Sequence, residues 1–423
     1  MSAALRKGWC PGALRPMMAR DGLLVRLRFT GGRLTSDVAR AIAALSDYYG
    51  NGRLDLSARA NLQLRGVEEA DLPSLLDALD DLDLLDADPA GEAVRNVMAS
   101  PLAGLGGPLD VGPIVAVLEA NLSQDTALHA LPGKFGFLVD DGGEPTLAGE
   151  TADVRFDVTT EAPHRVWIGL GGTRDHAVSL GFCAPDQVVE AATHIAHTFL
   201  SLAAGHEPPI RRMKMLIERL GAYQTARAFG VEGEMARPEY SGAIFNRPPV
   251  GYFRANGIAV QGLGVPFGRL DHGMLHAAAN LADECGQGDL RLTPWRCLLV
   301  PGIAAAVDLE ALRAQTFIVE ADDPRLRIAA CVGMEGCTRG TTPTHADAAH
   351  LVEAAARIGG SAISIHVSGC EKGCAKASRT AFTLVGHDGL YDLVAAGKAG
   401  DVPTRRDLDL AAIEVALAAK VSA

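Results

Sequence analysis

No apolar run in these 423 residues reaches the roughly 18 that a membrane-crossing helix needs. Nor is there an apolar core behind the charges of the N-terminus, so Met1 to Gly8 does not read as a signal peptide. An excess of basic residues is also missing. The net charge is −12, which argues against nucleic acid as a partner because phosphate binding needs a positive surface. These absences lead to the expectation of a cytoplasmic protein with no membrane and no nucleic-acid role. A nicotinamide fingerprint is lacking too. The glycines of Ala103–Gly107 (AGLGG) and Ile168–Gly172 (IGLGG) do not make the GxGxxG turn from strand to helix. Any positive patch must be local, as a site for a carboxylate-rich small molecule would require. At this length the chain should form several compact units.

What the sequence does contain is an internal repeat. Residues 32–66 align without a gap on residues 268–302, at a constant offset of 236, with 13 of 35 positions identical. Each copy reads as strand, helix, strand, strand. In the first, Thr35 or Ser36 suits a helix N-cap, Val38, Ile42, Leu45 and Tyr49 follow at helical spacing, and Gly50 is a stop. Leu54 and Leu56, then Leu62 and Leu64, alternate as in two short strands with one apolar face. The order expected is half, unit, half, unit: residues 1–84 and 226–320 for the halves, 85–225 and 321–423 for two α/β units. His206–Pro209 reads as a linker into a basic helix, Arg211–Gly221, which leads through Pro238–Pro249 to the second half.

The eight cysteines, in a reducing compartment, are thiols or metal ligands rather than disulfides. Four form a constellation: Cys331-x5-Cys337, then Cys370-x3-Cys374. Four thiolates are the ligand set of a cubane cluster, and Gly333, Gly336, Gly340, Gly369 and Gly373 would let backbone amides approach its sulfurs. Zinc is the competing metal, but its loops favour two to four residues between paired cysteines. A [4Fe–4S] cluster is the reading taken. Cys183, Cys285 and Cys297 lie among apolar residues and read as core packing, and Cys10 as structural.

This cysteine pattern, after duplicated α+β halves, resembles the sulfite and nitrite reductase superfamily. SARANLQLRG (Ser57–Gly66) is similar to that family's tetrapyrrole-lining strand, VRNV (Val94–Val97) to its arginine turn and LPGKF (Leu131–Phe135) to its lysine loop. Within the superfamily, KGWCPGALRPMMARDGLLVRL, ACVGMEGCTRG and HVSGCEKGCAKA most resemble the precorrin-3B synthase family. The resemblance implies two ferredoxin-like half-domains about a pseudo-twofold axis, with the cluster in the second α/β unit. It implies an oxygen-dependent monooxygenase of aerobic cobalamin biosynthesis, hydroxylating a meso carbon of precorrin-3A and closing a lactone. Its cosubstrates would be dioxygen and reducing equivalents from NADH, delivered by a separate reductase or ferredoxin. It also leaves room for a mononuclear non-haem iron, with His129, His164, His176 and His194 as candidate ligands, none of them compelling. A sirohaem-dependent sulfite or nitrite reductase is the alternative, and a non-catalytic electron carrier a distant third.

Period-two geometry over Arg59–Arg65 puts Arg59, Asn61, Gln63 and Arg65 on one face. The second copy has Trp295, Cys297, Leu299 and Pro301 there, as expected if one copy alone carries a site. Arg59, Arg95 and Lys134 match the superfamily's anion-binding positions, and guanidinium forks suit carboxylates. Two differences from the reductases are expected to matter. Gly136 replaces their second loop lysine, which weakens a site for sulfite more than one for uncharged dioxygen. A precorrin also carries no metal, so Cys374 should be a cluster ligand only, where the reductases' last cysteine also bridges to sirohaem iron. No catalytic residue is assigned.

Overall fold

The computed structural model describes residues 10–231, 248–358 and 363–421. Lys7–Trp9 of the opening motif and Pro238–Arg247 of the linker lie outside the described residues.

The repeat folds as its pattern requires. In the first half, helix Ser36–Tyr49 crosses strands Gly22–Leu27, Arg53–Leu56 and Leu62–Val67, and Thr35 caps it by accepting from the Val38 N–H. In the second half Asp271 caps helix His272–Glu284 in the same way, accepting from the Met274 N–H. Inward leucines at period two (Leu54, Leu56, Leu62 and Leu64) are all buried.

The two halves are not separate bodies. The short strand before each helix leaves its own sheet and joins the other half: Arg33–Thr35 pairs with Asp289–Leu292, and Arg269–Asp271 with Arg53–Leu56. Each half therefore completes its partner's five-stranded sheet. The two helices pack on one another, and the small residues Ala39, Ala43, Ala278 and Ala282 that they carry are all buried. Arg40 of one helix pairs with Asp283 of the other at 2.7 Å.

The α/β units are a second duplication. In the first, strands Val97–Ala99, Phe137–Asp140 and Ala152–Val158 run parallel, and Val166–Gly172 and Val178–Cys183 follow antiparallel. In the second, Ile328–Ala330, Ile365–Ser368 and Thr380–His387 run parallel, followed by antiparallel Leu390–Gly397 and Arg405–Leu408. The register fixes the equivalences. Met98 pairs with Leu138 as Ala329 pairs with His366. The Ser100 N–H then donates to the Val139 carbonyl at 3.1 Å, as the Cys331 N–H does to Val367 at 3.2 Å.

One expected strand is shorter than its pattern. It begins at Leu62, because Ser57 to Ala60 form a turn in which the Ser57 hydroxyl accepts from the Arg59 and Asn61 N–H groups at 3.3 and 3.2 Å. A side chain that satisfies nearby backbone competes with the sheet ladder. Ala60, at φ +54°, completes the turn, and Arg296 repeats it at φ +58° in the other half.

The strand exchange makes a prediction. Leu34 is 1% exposed on a strand that belongs, by pairing, to the second half. Leu34→Ala should cost about 2–5 kcal/mol in denaturant unfolding. Amide exchange should accelerate in Asp289–Leu292 as well as locally. Acceleration confined to residues near position 34 in sequence would contradict a shared core.

Candidate cluster cradle and anion cleft

Cys331 directly follows strand Ile328–Ala330, and Cys337 closes the single helical turn Gly333–Gly336. Cys370 and Cys374 lie on the loop after Ile365–Ser368. These are the carboxyl ends of adjacent parallel strands, the place where α/β sheets put their ligands. The two loops close on each other through glycine. A Cβ on Gly340 would lie 2.4 Å from the Gly333 carbonyl carbon, and one on Gly369 3.2 Å from the Gly333 Cα. That contact lets the Gly369 N–H donate to Cys331 Sγ at 3.2 Å.

All four cysteines are free thiols. The four sulfurs are close enough for their charges to interact. Burial pushes the Cys374 thiol up, Lys372 opposes this, and Cys331, Cys370 and Cys337 push it further. Irons bound to deprotonated sulfurs would relieve this mutual repulsion. The donor set and the glycine-lined loops fit a [4Fe–4S] cluster.

The first unit has the same cradle, closed by its own side chains. Ser100 takes the place of Cys331, and the Asp141 N–H donates to its hydroxyl at 2.9 Å, as Gly369 does to Cys331. Asp140 then accepts from the hydroxyls of Ser100 and Thr146 at 3.1 and 2.7 Å.

The cradle is anchored by arginines from both halves. Arg296 donates to the carbonyls of Ala330 and Ala375, beside Cys331 and Cys374. Arg53 and Arg269 both pair with Glu335. Arg65, 2% exposed, is neutralised by Asp21 and Asp55 at 2.7 and 3.2 Å and donates to the Gly336 carbonyl at 2.8 Å. Arg65, expected on the substrate-binding face, thus has its charge met within the protein.

Arg95, also expected at the substrate site, is likewise paired within the protein. It is held by Asp86 at 2.7 Å and Glu119 at 3.0 Å. Asn61 and Arg59 do line a narrow cleft, together with Arg28, Gly136 and Arg212. Arg28 is neutralised by Glu92 and Arg212 by Asp153. Arg59 has no carboxylate partner among the described residues. Its guanidinium donates to the Lys134 carbonyl at 2.8 Å. Burial lowers its pKa, and Arg212 and Arg28 lower it further, while Cys10 and Asp153 oppose them. Lys134 is exposed on the same loop, with no ion pair among the described residues. Gly136 faces this site, because a Cβ there would lie 3.8 Å from an Arg59 nitrogen.

Sequence reasoning missed Arg26. It also lacks a carboxylate partner among the described residues and donates to the Gln63 side chain at 2.9 Å. Burial pushes its pKa down to about 10, with Cys10 opposing and Arg28 and Arg59 adding to the shift. Arg26 and Arg28 alternate in VRLR as Arg59 and Asn61 do, so the signal was there at period two. Cys10 lies near enough to Arg26 to oppose that shift and so borders this basic group. Cys297 is buried and its thiol pushed up to about 12, in line with packing, while Cys183 and Cys285 are partly buried.

The four candidate iron ligands do not converge. His129, His164 and His176 bond locally to Ser123, Thr159 and Thr173, and His194 is exposed. The set within 4.8 Å is His387, Asp392 and Asp407, in which Arg406 already neutralises Asp392 at 3.0 Å. Helix Met213–Leu220, from the basic segment, is tied through Arg212 to Asp153 of its own unit. No helix of the described residues is long and apolar enough to cross a membrane.

Comparison with known proteins agrees with this architecture. The nitrite/sulfite reductase ferredoxin-like half domain matches residues 15–82 and 255–314. The nitrite and sulphite reductase 4Fe-4S domain matches residues 90–236, the unit with Ser100 rather than the one with the four cysteines. A precorrin-3B synthase from Sinorhizobium sp is 32% identical over 410 residues, covering 95% of this chain and 85% of that protein. A ferredoxin–nitrite reductase from Synechococcus elongatus is 26% identical over 391 residues, 86% of this chain and 76% of that one. The structure of the Mycobacterium tuberculosis NirA protein superposes with a TM-score of 0.76 at 22% identity, covering 91% of this chain and 78% of that one, and so shares the fold. With its duplicated halves and units accounted for, the chain belongs to the precorrin-3B synthase family, within the nitrite and sulfite reductase superfamily.

Proposed function

We propose that this iron–sulfur oxidoreductase is the monooxygenase that converts precorrin-3A to precorrin-3B. The observation that carries the reading is the charge pattern of the cleft. Among the described residues Arg59 in the cleft, and Arg26 and Lys134 beside it, have no carboxylate partner, in a chain of net charge −12. Uncompensated, partly desolvated guanidiniums are costly unless an anion completes them. The acetates and propionates of a precorrin are anions of that kind. Gly136 supports the same reading, since it leaves open the space beside Arg59 that a side chain would fill.

Cys331, Cys337, Cys370 and Cys374 would hold the cluster, which supplies electrons one at a time when bound. Cys374, the exposed member of the set, would present that redox centre to the substrate. The cleft and the Cys374 loop approach each other at Glu150. This residue precedes cleft-lining Thr151 and is close enough to Lys376 to feel its charge. In the reaction one atom of dioxygen enters a meso C–H bond of the substrate. The other leaves as water with two protons and two electrons, and a ring acetate closes the lactone. The electrons would come from a nicotinamide-dependent reductase or a ferredoxin. Arg26 and Arg59 would hold substrate carboxylates, and Asn61 and Gln63 would orient the ring edge through neutral hydrogen bonds.

Two measurements test this. Cys331→Ser, Cys337→Ser and Cys370→Ser should each bleach the visible band of anaerobically purified protein and lower its iron and sulfide from about four each. Full iron in all three variants would refute the ligand set, and stoichiometric sirohaem in the wild type would favour a reductase instead. Arg26→Ala and Arg59→Ala should each weaken precorrin-3A binding by about 1.5–3 kcal/mol with the cluster spectrum intact. Arg95→Ala should lower stability rather than affinity. Equal affinity in the first two variants would remove the cleft from the mechanism.

A further inference from the structure

His366 has no account in anything described so far. It lies on strand Ile365–Ser368, is 0% exposed, and among the described residues neither ring nitrogen has a hydrogen-bond partner. Leaving such a group unsatisfied costs about 1–3 kcal/mol, so a partner outside the protein is implied.

Its position says where that partner is. The side chains of Ile365 and Val367 enter the unit's core, which turns His366 to the opposite face of the sheet. There the Cys370–Cys374 loop folds over it. The imidazole Cε1 is 3.6 Å from where a Cβ of Gly373 would be, and Gly373 adopts φ +61° with no room for that Cβ against Ala399. The charged neighbours that act on the ring are cations. Burial, then Arg296, then Lys376 push its pKa down to about 4, so the ring is neutral and has one N–H to donate. What it lacks is an acceptor.

The clusterless unit supplies an internal control. The position equivalent to His366 is Leu138, packed with Leu147 and Met98. An imidazole stands on this strand in the copy with four cysteines and an aliphatic side chain in the copy with Ser100.

We propose that His366 donates its imidazole N–H to an inorganic sulfide of the cluster and thereby sets the cluster's reduction potential. This rests on the four-cysteine ligand set proposed above. Hydrogen bonds to cluster sulfurs favour the more negative, reduced state, so removing one should make the cluster harder to reduce.

The experiment uses substrate-free holoprotein carrying ¹⁵N-labelled histidine, with iron and sulfide counted first. Pulsed EPR of the reduced cluster should show a weak ¹⁵N coupling that is absent in His366→Phe. The constant for reducing the cluster with a fixed one-electron donor should fall about tenfold in that variant, a shift of about 59 mV. His366→Asn, which keeps a donor, should recover part of the shift. Four irons in the wild type without a ¹⁵N coupling would overturn the proposal, leave the ligand set standing and assign the imidazole to a buried water. An unchanged potential in both variants would also overturn it. A wild type without four irons would defeat the ligand set itself. If His366→Phe does not retain its cluster, the wild-type coupling and the Asn variant still decide.

Discussion

Arg65 donates to the carbonyl of Gly336, one residue before Cys337, while Asp21 and Asp55 hold its guanidinium from the other side. Burial opposes its charge, but the two carboxylates more than offset that, and its pKa is raised. This buried triad ties the first half to the loop carrying two of the four thiols. It is reinforced where the halves meet, because Arg269, on the exchanged strand, bonds both Asp55 and Glu335. The cradle can keep its shape only if both halves are folded and correctly exchanged. Breaking one partner of such a buried pair leaves an uncompensated charge and costs about 3–5 kcal/mol.

Each duplication has kept the backbone and divided the chemistry. In the halves, Arg59 and Trp295 occupy equivalent turns; one cation faces the cleft, while the indole N–H bonds Glu150 at 2.9 Å. In the units, Cys331 and Ser100 accept the same backbone hydrogen bond, one with sulfur and one with oxygen. A hydroxyl can be satisfied by Asp140, so the first cradle closes on itself. The second cradle instead offers four thiols between glycine backbones, the donor set proposed to hold the cluster.

Elements governed by local chemistry were legible in the sequence. Thr35 as a cap, Gly50 as a stop and the alternation of Leu54, Leu56, Leu62 and Leu64 depend on neighbours a few residues away. The cysteine loops were legible for the same reason. What period and spacing could not supply was which arginines are already paired. Arg65 finds Asp21 and Arg95 finds Glu119 only after folding, across 44 and 24 residues. Arg26 was passed over because its isolation, the property that matters, is likewise visible only in three dimensions. The exchange of Arg33–Thr35 and Arg269–Asp271 was hidden because three-residue strands carry too little pattern to name a partner.

Carboxylate pairing marks several arginines of this protein as structural. Arg28, Arg65, Arg95 and Arg212 each meet a carboxylate within 3.2 Å, so they hold the protein together. Among the described residues Arg26 and Arg59, like the cradle anchor Arg296, meet no carboxylate, and the His366 ring nitrogens have no hydrogen-bond partner. In an interior where desolvation penalises unmatched polar groups, the proposed substrate and cluster would complete Arg26, Arg59 and His366. Their chemistry differs accordingly. The guanidiniums call for carboxylates, whereas the neutral imidazole under the cysteine loop calls for a compact acceptor such as sulfide. Two kinds of unmet demand, one at the cleft and one at the cradle, are what a redox enzyme acting on a polyanionic substrate would require.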